Sequence, residues 1–158
     1  MADDTAARTV PGPPAALAAA PGYQVRRLYQ AYLAAWVRTV DPVLTGPQYA
    51  VLTAVDSEPG RDQSSLASAV ALDTSTMADV ARRLETRGLI VRRTAAGDGR
   101  RKLLFLTEEG EKALHNTNAR ARALDERLLA PYDAAERARL MQLLGELAAH
   151  WESVTEGS

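Results

Sequence analysis

The segment DQSSLASAVALDTSTMADVARRLETRG, residues 62–88, decides how this chain folds. It holds two caps, Asp62 and Asp73, each a short side chain able to accept from the unpaired backbone N–H groups that open a helix. Behind the first, Leu66, Ala67 and Val70 recur at helical spacing. Behind the second, Met77, Val80, Ala81 and Leu84 do the same, and Gly88 supplies the stop. The spacing predicts two helices joined by a tight turn at Ala71-Leu72, the second running to about Arg87. Its opposite face carries Ser75, Asp79, Arg82 and Thr86, with Thr76 and Arg83 at the edge. One face packs and the other stays free to enter a groove.

Immediately downstream, Leu89-Ile90-Val91-Arg92-Arg93 and Lys102-Leu103-Leu104-Phe105-Leu106 read as strands around the turn-rich Ala96-Gly97-Asp98-Gly99. Helix, turn, helix and hairpin in that order make the winged form of the helix-turn-helix. Charge gathers on the same module. Residues 82–102 hold eight bases, Arg82, Arg83, Arg87, Arg92, Arg93, Arg100, Arg101 and Lys102, against the two acids Glu85 and Asp98. The whole chain carries a formal net charge of −1, so the positive charge is local. Duplex DNA is the partner such polarisation suits, because each neutralised phosphate releases counterions. A solvated arginine-rich face is the plainer account of the run taken alone. At the hairpin tip, Asp98 is either ordinary turn chemistry or an ion-pair partner that stiffens the wing and aims Arg100 at a minor groove.

Working outward, residues 1–21 are rich in Ala, Pro, Gly and Thr and read as a flexible arm. From about Tyr23 to Val40, apolar residues centred on Trp36 fall on one helical stripe, which Asp41-Pro42 ends. Thr45 and Gln48 have capping-box spacing and open a helix to about Val55, closed by the turn Ser57-Glu58-Pro59-Gly60. Beyond the hairpin, Thr107 opens a long helix to about Ala130, and Asp133 with Glu136 caps a last one to about Trp151. Leu114, Leu124, Leu128 and Leu129, then Leu140, Leu143, Leu144, Leu147 and Trp151, offer more apolar stripe than one small chain needs to cover. Either a second copy covers them or the two helices pack on each other.

The ordered set Leu44-Thr45-Gly46-Pro47-Gln48-Tyr49-Ala50-Val51-Leu52, Leu66-Ala67, Arg83-Leu84-Glu85-Thr86-Arg87-Gly88-Leu89-Ile90, Asp98-Gly99-Arg100 and Leu104-Phe105-Leu106-Thr107-Glu108-Glu109-Gly110 resembles the multiple-antibiotic-resistance-regulator (MarR) family. The resemblance implies a mostly α fold with a small β-hairpin wing. A winged helix-turn-helix module at 46–107 would be flanked by dimerisation helices at 22–45 and 108–155. It also implies a homodimer reading a near-palindromic operator in double-stranded DNA, with half-sites about 34–36 Å apart. Carried over by position, Thr74, Ser75, Thr76, Ala78, Asp79 and Arg83 would face DNA and Arg100 would be the wing-tip contact. Arg82 and Arg101 join that set as neighbouring bases, and Asp98 as wing support. Asp79 departs from the family, which often has a base there; an acid could accept from cytosine N4 or orient Arg82 or Arg83.

Members of this family commonly release DNA when a small aromatic or phenolic acid binds between the dimer helices and the winged module. Tyr23, Tyr29, Tyr32, Trp36 and Tyr49, five of the eight aromatics, fall on the first two helices, with Arg26 at the stripe's edge. Rings beside a guanidinium suit an aromatic carboxylate, so Arg26, Tyr29, Tyr32, Trp36 and Tyr49 form the candidate effector site. Core or dimer interface is the plainer role for such a stripe. Gly60-Arg61-Asp62-Gln63 and Asp73-Thr74-Ser75-Thr76 also look similar to members that control hydroxylated aromatic-acid catabolism. The resemblance therefore implies a repressor released by such a ligand. The alternative is an architectural or protein-contact winged helix without effector.

Other classes find little support. With no cysteine, disulfides, thiolate metal sites and cysteine redox switches are excluded. His115 and His150 sit on different predicted helices, away from any nucleophile motif or phosphate loop, so neither an enzyme, a cofactor nor a metal site is expected. No run approaches the roughly 18 apolar residues of a membrane span. The start Met1-Ala2-Asp3-Asp4 carries acids where a secretory leader carries bases, which predicts a cytoplasmic protein, on the nucleoid when bound to DNA.

Overall fold

The computed structural model describes residues 12–156, apart from the side chains at Arg100 and Glu156. Seven helices and one hairpin follow in chain order: α1 (Ala15–Ala18), α2 (Pro21–Thr39), α3 (Gly46–Ser57), α4 (Gln63–Ala69), α5 (Thr74–Thr86), β1 (Ile90–Ala95), β2 (Asp98–Leu106), α6 (Glu108–Leu128) and α7 (Ala134–Glu156). The helix starts are where side chains supply acceptors. Thr45 and Gln48 form a reciprocal capping box, and Asp62, Asp73 and Thr107 each accept from the backbone N–H three residues on. Asp133 and Glu136 exchange the same pair of bonds before α7. The stop after α5 needs a left-handed residue, and Gly88 provides it at φ +69°.

The winged module closes around one core. Leu52, Val55, Leu66, Met77, Leu84, Ile90 and Leu104 are fully buried there, joining α3, α4, α5 and the hairpin. The buried face of α5 is Met77, Val80, Ala81 and Leu84, as its periodicity predicts. A second, smaller cluster of Trp36, Val40, Ala121 and Leu124 ties α2 to α6. Gly110 lets α6 start close to the hairpin: a Cβ there would lie 2.0 Å from the Leu89 carbonyl oxygen.

Four features differ from the sequence expectation. Part of the supposed arm, Ala15–Ala18, is one helical turn that buries nothing; residues 1–11 of the arm lie outside the described residues. The hairpin strands are longer than the apolar runs, because Ala96-Gly97 alone make the turn, with Gly97 at φ +84°. Pairing then steps from Thr94 opposite Lys102 to Ala95 opposite Asp98, which places an irregularity in β2 at 99–101. Leu114 and Leu124, read as candidates for a partner surface, are buried within the protomer instead. Met141, Leu143, Leu144, Leu147, Trp151 and Val154 of α7 remain exposed, as do Val25, Leu28, Tyr29 and Val37 of α2.

Candidate nucleic-acid interface

Asp73 organises the start of α5. Its carboxylate accepts from the Thr76 amide at 2.9 Å and from the hydroxyls of Ser75 and Thr76, which hold it well below the usual carboxylate range. Thr74, Ser75 and Thr76 are exposed beside this cap. One and a half turns on, Asp79 pairs with two guanidiniums, Arg82 through Oδ1 and Arg83 through Oδ2, the latter at 2.8 Å. The Arg82 hydrogen bond is the main cause of the lowered Asp79 pKa. The exposed face of α5 is thus an alternation of hydroxyls, one acid and two bases. An open cleft of about 390 Å³ flanks it, lined by Thr45, Pro47 and Gln48 of the α3 start and by Ser75, Thr76, Asp79, Val80 and Arg83.

Other bases of the run have structural partners that spacing did not reveal. Arg92 of β1 donates to Glu85 of α5, at 2.8 Å through Nε, and keeps that carboxyl ionised. Arg93 lies 4.8 Å from the centre of the Phe105 ring across the hairpin. Arg101 donates to Asp62 Oδ2 at 3.0 Å, linking the wing to the cap of α4. Arg87, at the end of α5, reaches Gln48 Oε1 at 3.3 Å and the Val43 carbonyl at 3.4 Å. Asp62 and Asp79, which lie outside the 82–102 count, therefore offset part of its positive charge. Asp98 lies at the start of β2 and has a partner of its own. The Arg100 side chain, and with it the expected Asp98–Arg100 pair, lies outside the described residues.

The expected effector set divides. Tyr32, Trp36 and Tyr49 come together, with ring centres 5.9 Å and 5.2 Å apart along the row. Trp36 is buried and donates Nε1–H to the Leu44 carbonyl at 2.7 Å, while the Tyr49 hydroxyl donates to Asn118 Oδ1 at 2.9 Å. Burial, then the nearby Asp125, pushes the Tyr32 hydroxyl pKa up, and burial likewise raises Asp125. Tyr29 is exposed on α2, and Arg26 stacks over Tyr23 at 5.8 Å rather than joining the three rings. Asn118 and Asp125 were missed because polar residues on a long helix carry no sign of the neighbour they will meet. Among the described residues no group of three or more His, Asp or Glu could hold a metal ion, and no helix is long and apolar enough to cross a membrane.

Residues 44–102 match the model of the MarR family. The chain is 38% identical over 125 residues to the transcriptional regulator HosA of Escherichia coli, covering 79% of this chain and 92% of that one. Among solved structures it is similar to the PcaV transcriptional regulator of Streptomyces coelicolor in complex with its natural ligand. That match has a TM-score of 0.82 and 39% identity, and covers 89% of this chain and 98% of PcaV. It is also similar to Bordetella bronchiseptica BpsR, whose DNA binding is regulated by 6-hydroxynicotinic acid. Here the TM-score is 0.74 at 27% identity, over 80% of this chain and 97% of BpsR.

Proposed function

The chain belongs to the MarR family of transcriptional regulators, and on that footing we propose that it represses by occupying a promoter as a homodimer and leaves when a small aromatic acid binds. The observation that carries the DNA-binding part is the division of α5. Met77, Val80, Ala81 and Leu84 anchor the helix, while Thr74, Ser75, Thr76, Asp79, Arg82 and Arg83 stand outward. A second copy would bring a second α5, and two such helices read successive major grooves of a near-palindrome. The apolar side chains left exposed along α7 and α2 support self-association, since large apolar groups on a helix favour burial against a partner. Arg100 and Arg101 would meet the backbone or minor groove beside each wing, with Asp98 supporting the tip.

The effector reading draws on the ring cluster and on the relatives. BpsR responds to an aromatic acid, and PcaV holds a natural ligand. Tyr32, Trp36 and Tyr49 sit where α2, α3 and α6 meet, directly behind the Leu44-Thr45 entry to α3, so a ligand wedged among them would move the start of the winged module. Arg26 and Tyr29, on the outer face of α2, would reach such a ligand through the dimer arrangement or a change of rotamer. No catalytic role is assigned to any residue. A thermal-shift screen of hydroxybenzoates and hydroxynicotinates, followed by displacement of the protein from its own promoter DNA, tests this. A ligand that stabilises the protein and releases DNA is expected; release by none of these acids would remove the effector from the account.

A further inference from the structure

An acid at the centre of a DNA-reading face is electrostatically out of place. Asp79 lies beyond the first turn of α5, so the positive end of the helix dipole does not account for it. Its pairs with Arg82 and Arg83 do not account for it either. The three side chains are 43–62% exposed, and exposed pairs of this kind contribute little to stability. Near phosphates the carboxylate is repelled. In a major groove it is also repelled by base edges that show acceptors, such as guanine O6 and N7 or thymine O4, and satisfied by an amino donor. A carboxylate has about four acceptor positions, so it can keep both guanidiniums and still accept once more. An open cleft lies beside it, lined by Asp79 and Arg83 together with Thr45, Pro47 and Gln48 of the α3 start, and the Asp79 side chain is 43% exposed.

Resting on the DNA-binding reading above, we propose that Asp79 is a specificity-determining residue: it accepts from a cytosine N4 amino group in each half-site while aligning Arg82 and Arg83 on either side of that base pair. The acid then lowers affinity for DNA in general and raises discrimination for one base. Removing it releases two guanidiniums per subunit for phosphates.

The test uses the full chain, with Asp79→Ala and Asp79→Asn beside the wild type. Each is used to enrich sites from random duplexes, and each is titrated on the enriched site at several salt concentrations. The wild type should select a cytosine at one fixed position per half-site. Exchanging it for thymine should weaken binding at least about fivefold per half-site. Asp79→Ala should lose that preference, bind random duplex more tightly and show a steeper salt dependence. Asp79→Asn should turn the preference toward adenine, which an amide can pair through two bonds. If both variants keep the wild-type base preference and salt slope while binding DNA, the inference is overturned and the DNA-binding reading stands. If the wild type retards no duplex at low salt, that reading fails and this inference goes with it.

Discussion

Asp62→Ala should loosen the wing more than removal of the wing's own arginine does. Asp62 Oδ1 accepts from the Ser65 amide at 3.0 Å, and Oδ2 accepts from the Ser65 hydroxyl at 2.8 Å and from Arg101 at 3.0 Å. The backbone around it is the attachment of the hairpin: the Gly60 amide donates to the Leu104 carbonyl and the Leu104 amide to that of Arg61. Losing an Asp cap costs about 1 kcal/mol. The Arg101 side chain is 57% exposed and that of Asp62 14%, so the ion pair adds about 0.2–1 kcal/mol. Asp62→Ala should therefore cost about 1–2 kcal/mol and Arg101→Ala less than about 1 kcal/mol. Asp62→Asn, which keeps a cap acceptor, should fall between wild type and Asp62→Ala. The pH dependence has a definite sign. The Ser65 amide, first among its partners, holds the folded pKa below the unfolded one, so this stabilisation is complete above the ordinary carboxylate range and fades as pH falls through the lowered value. The gap between wild type and Asp62→Asn should shrink accordingly under acid conditions. Urea unfolding followed by far-ultraviolet circular dichroism, at one protomer concentration, measures all three variants. Equal losses for Asp62→Ala and Arg101→Ala, or a loss below about 0.5 kcal/mol for Asp62→Ala, would refute the argument.

Gly110→Ala should be far more damaging, because the Cβ would lie 2.0 Å from the Leu89 carbonyl oxygen; a loss of about 3 kcal/mol or more, or no cooperative unfolding at all, is expected in the same assay. Trp36→Phe keeps a ring but leaves the Leu44 carbonyl without its donor, and should lower stability by about 1–3 kcal/mol in thermal melts, whereas the exposed Trp151 should tolerate the same change better in a single subunit. Arg100→Ala should weaken operator binding and reduce the salt slope by about one per wing without altering the melting temperature; unchanged affinity would show that the wing tip makes no contact.

The starts of α3, α4, α5 and α6 and the division of α5 were legible because they rest on local chemistry, whereas the end of α7, expected at about Trp151, lies at Glu156. Asp62, Asp73, Thr45 with Gln48, and Thr107 each signal a cap from a single side chain, and the Met77–Leu84 stripe reports its buried face by period alone. What the sequence hid depends on approach between distant segments. Nothing in the local pattern says that Arg101 meets Asp62 or that Arg87 meets Gln48 and Val43, which are 39 to 44 positions away. An arginine count over 82–102 also overstates the positive charge offered to DNA: Asp62 reaches Arg101 from a distant segment, and Asp79, which pairs with Arg82 and Arg83 at ordinary helical spacing, lies just outside that window. The aromatic stripe was visible, but only folding separates Tyr32, Trp36 and Tyr49, which meet Asn118 and Asp125 of α6, from Tyr29 and Arg26 on the open side of α2.

Footprinting and mobility shift of the full chain on its own promoter DNA, repeated at low and moderate salt, address the outward face of α5 most directly. A protected near-palindrome, with affinity that falls steeply as salt rises, is the predicted result. A chain that retards no duplex even at low salt, or whose binding ignores salt, would contradict it.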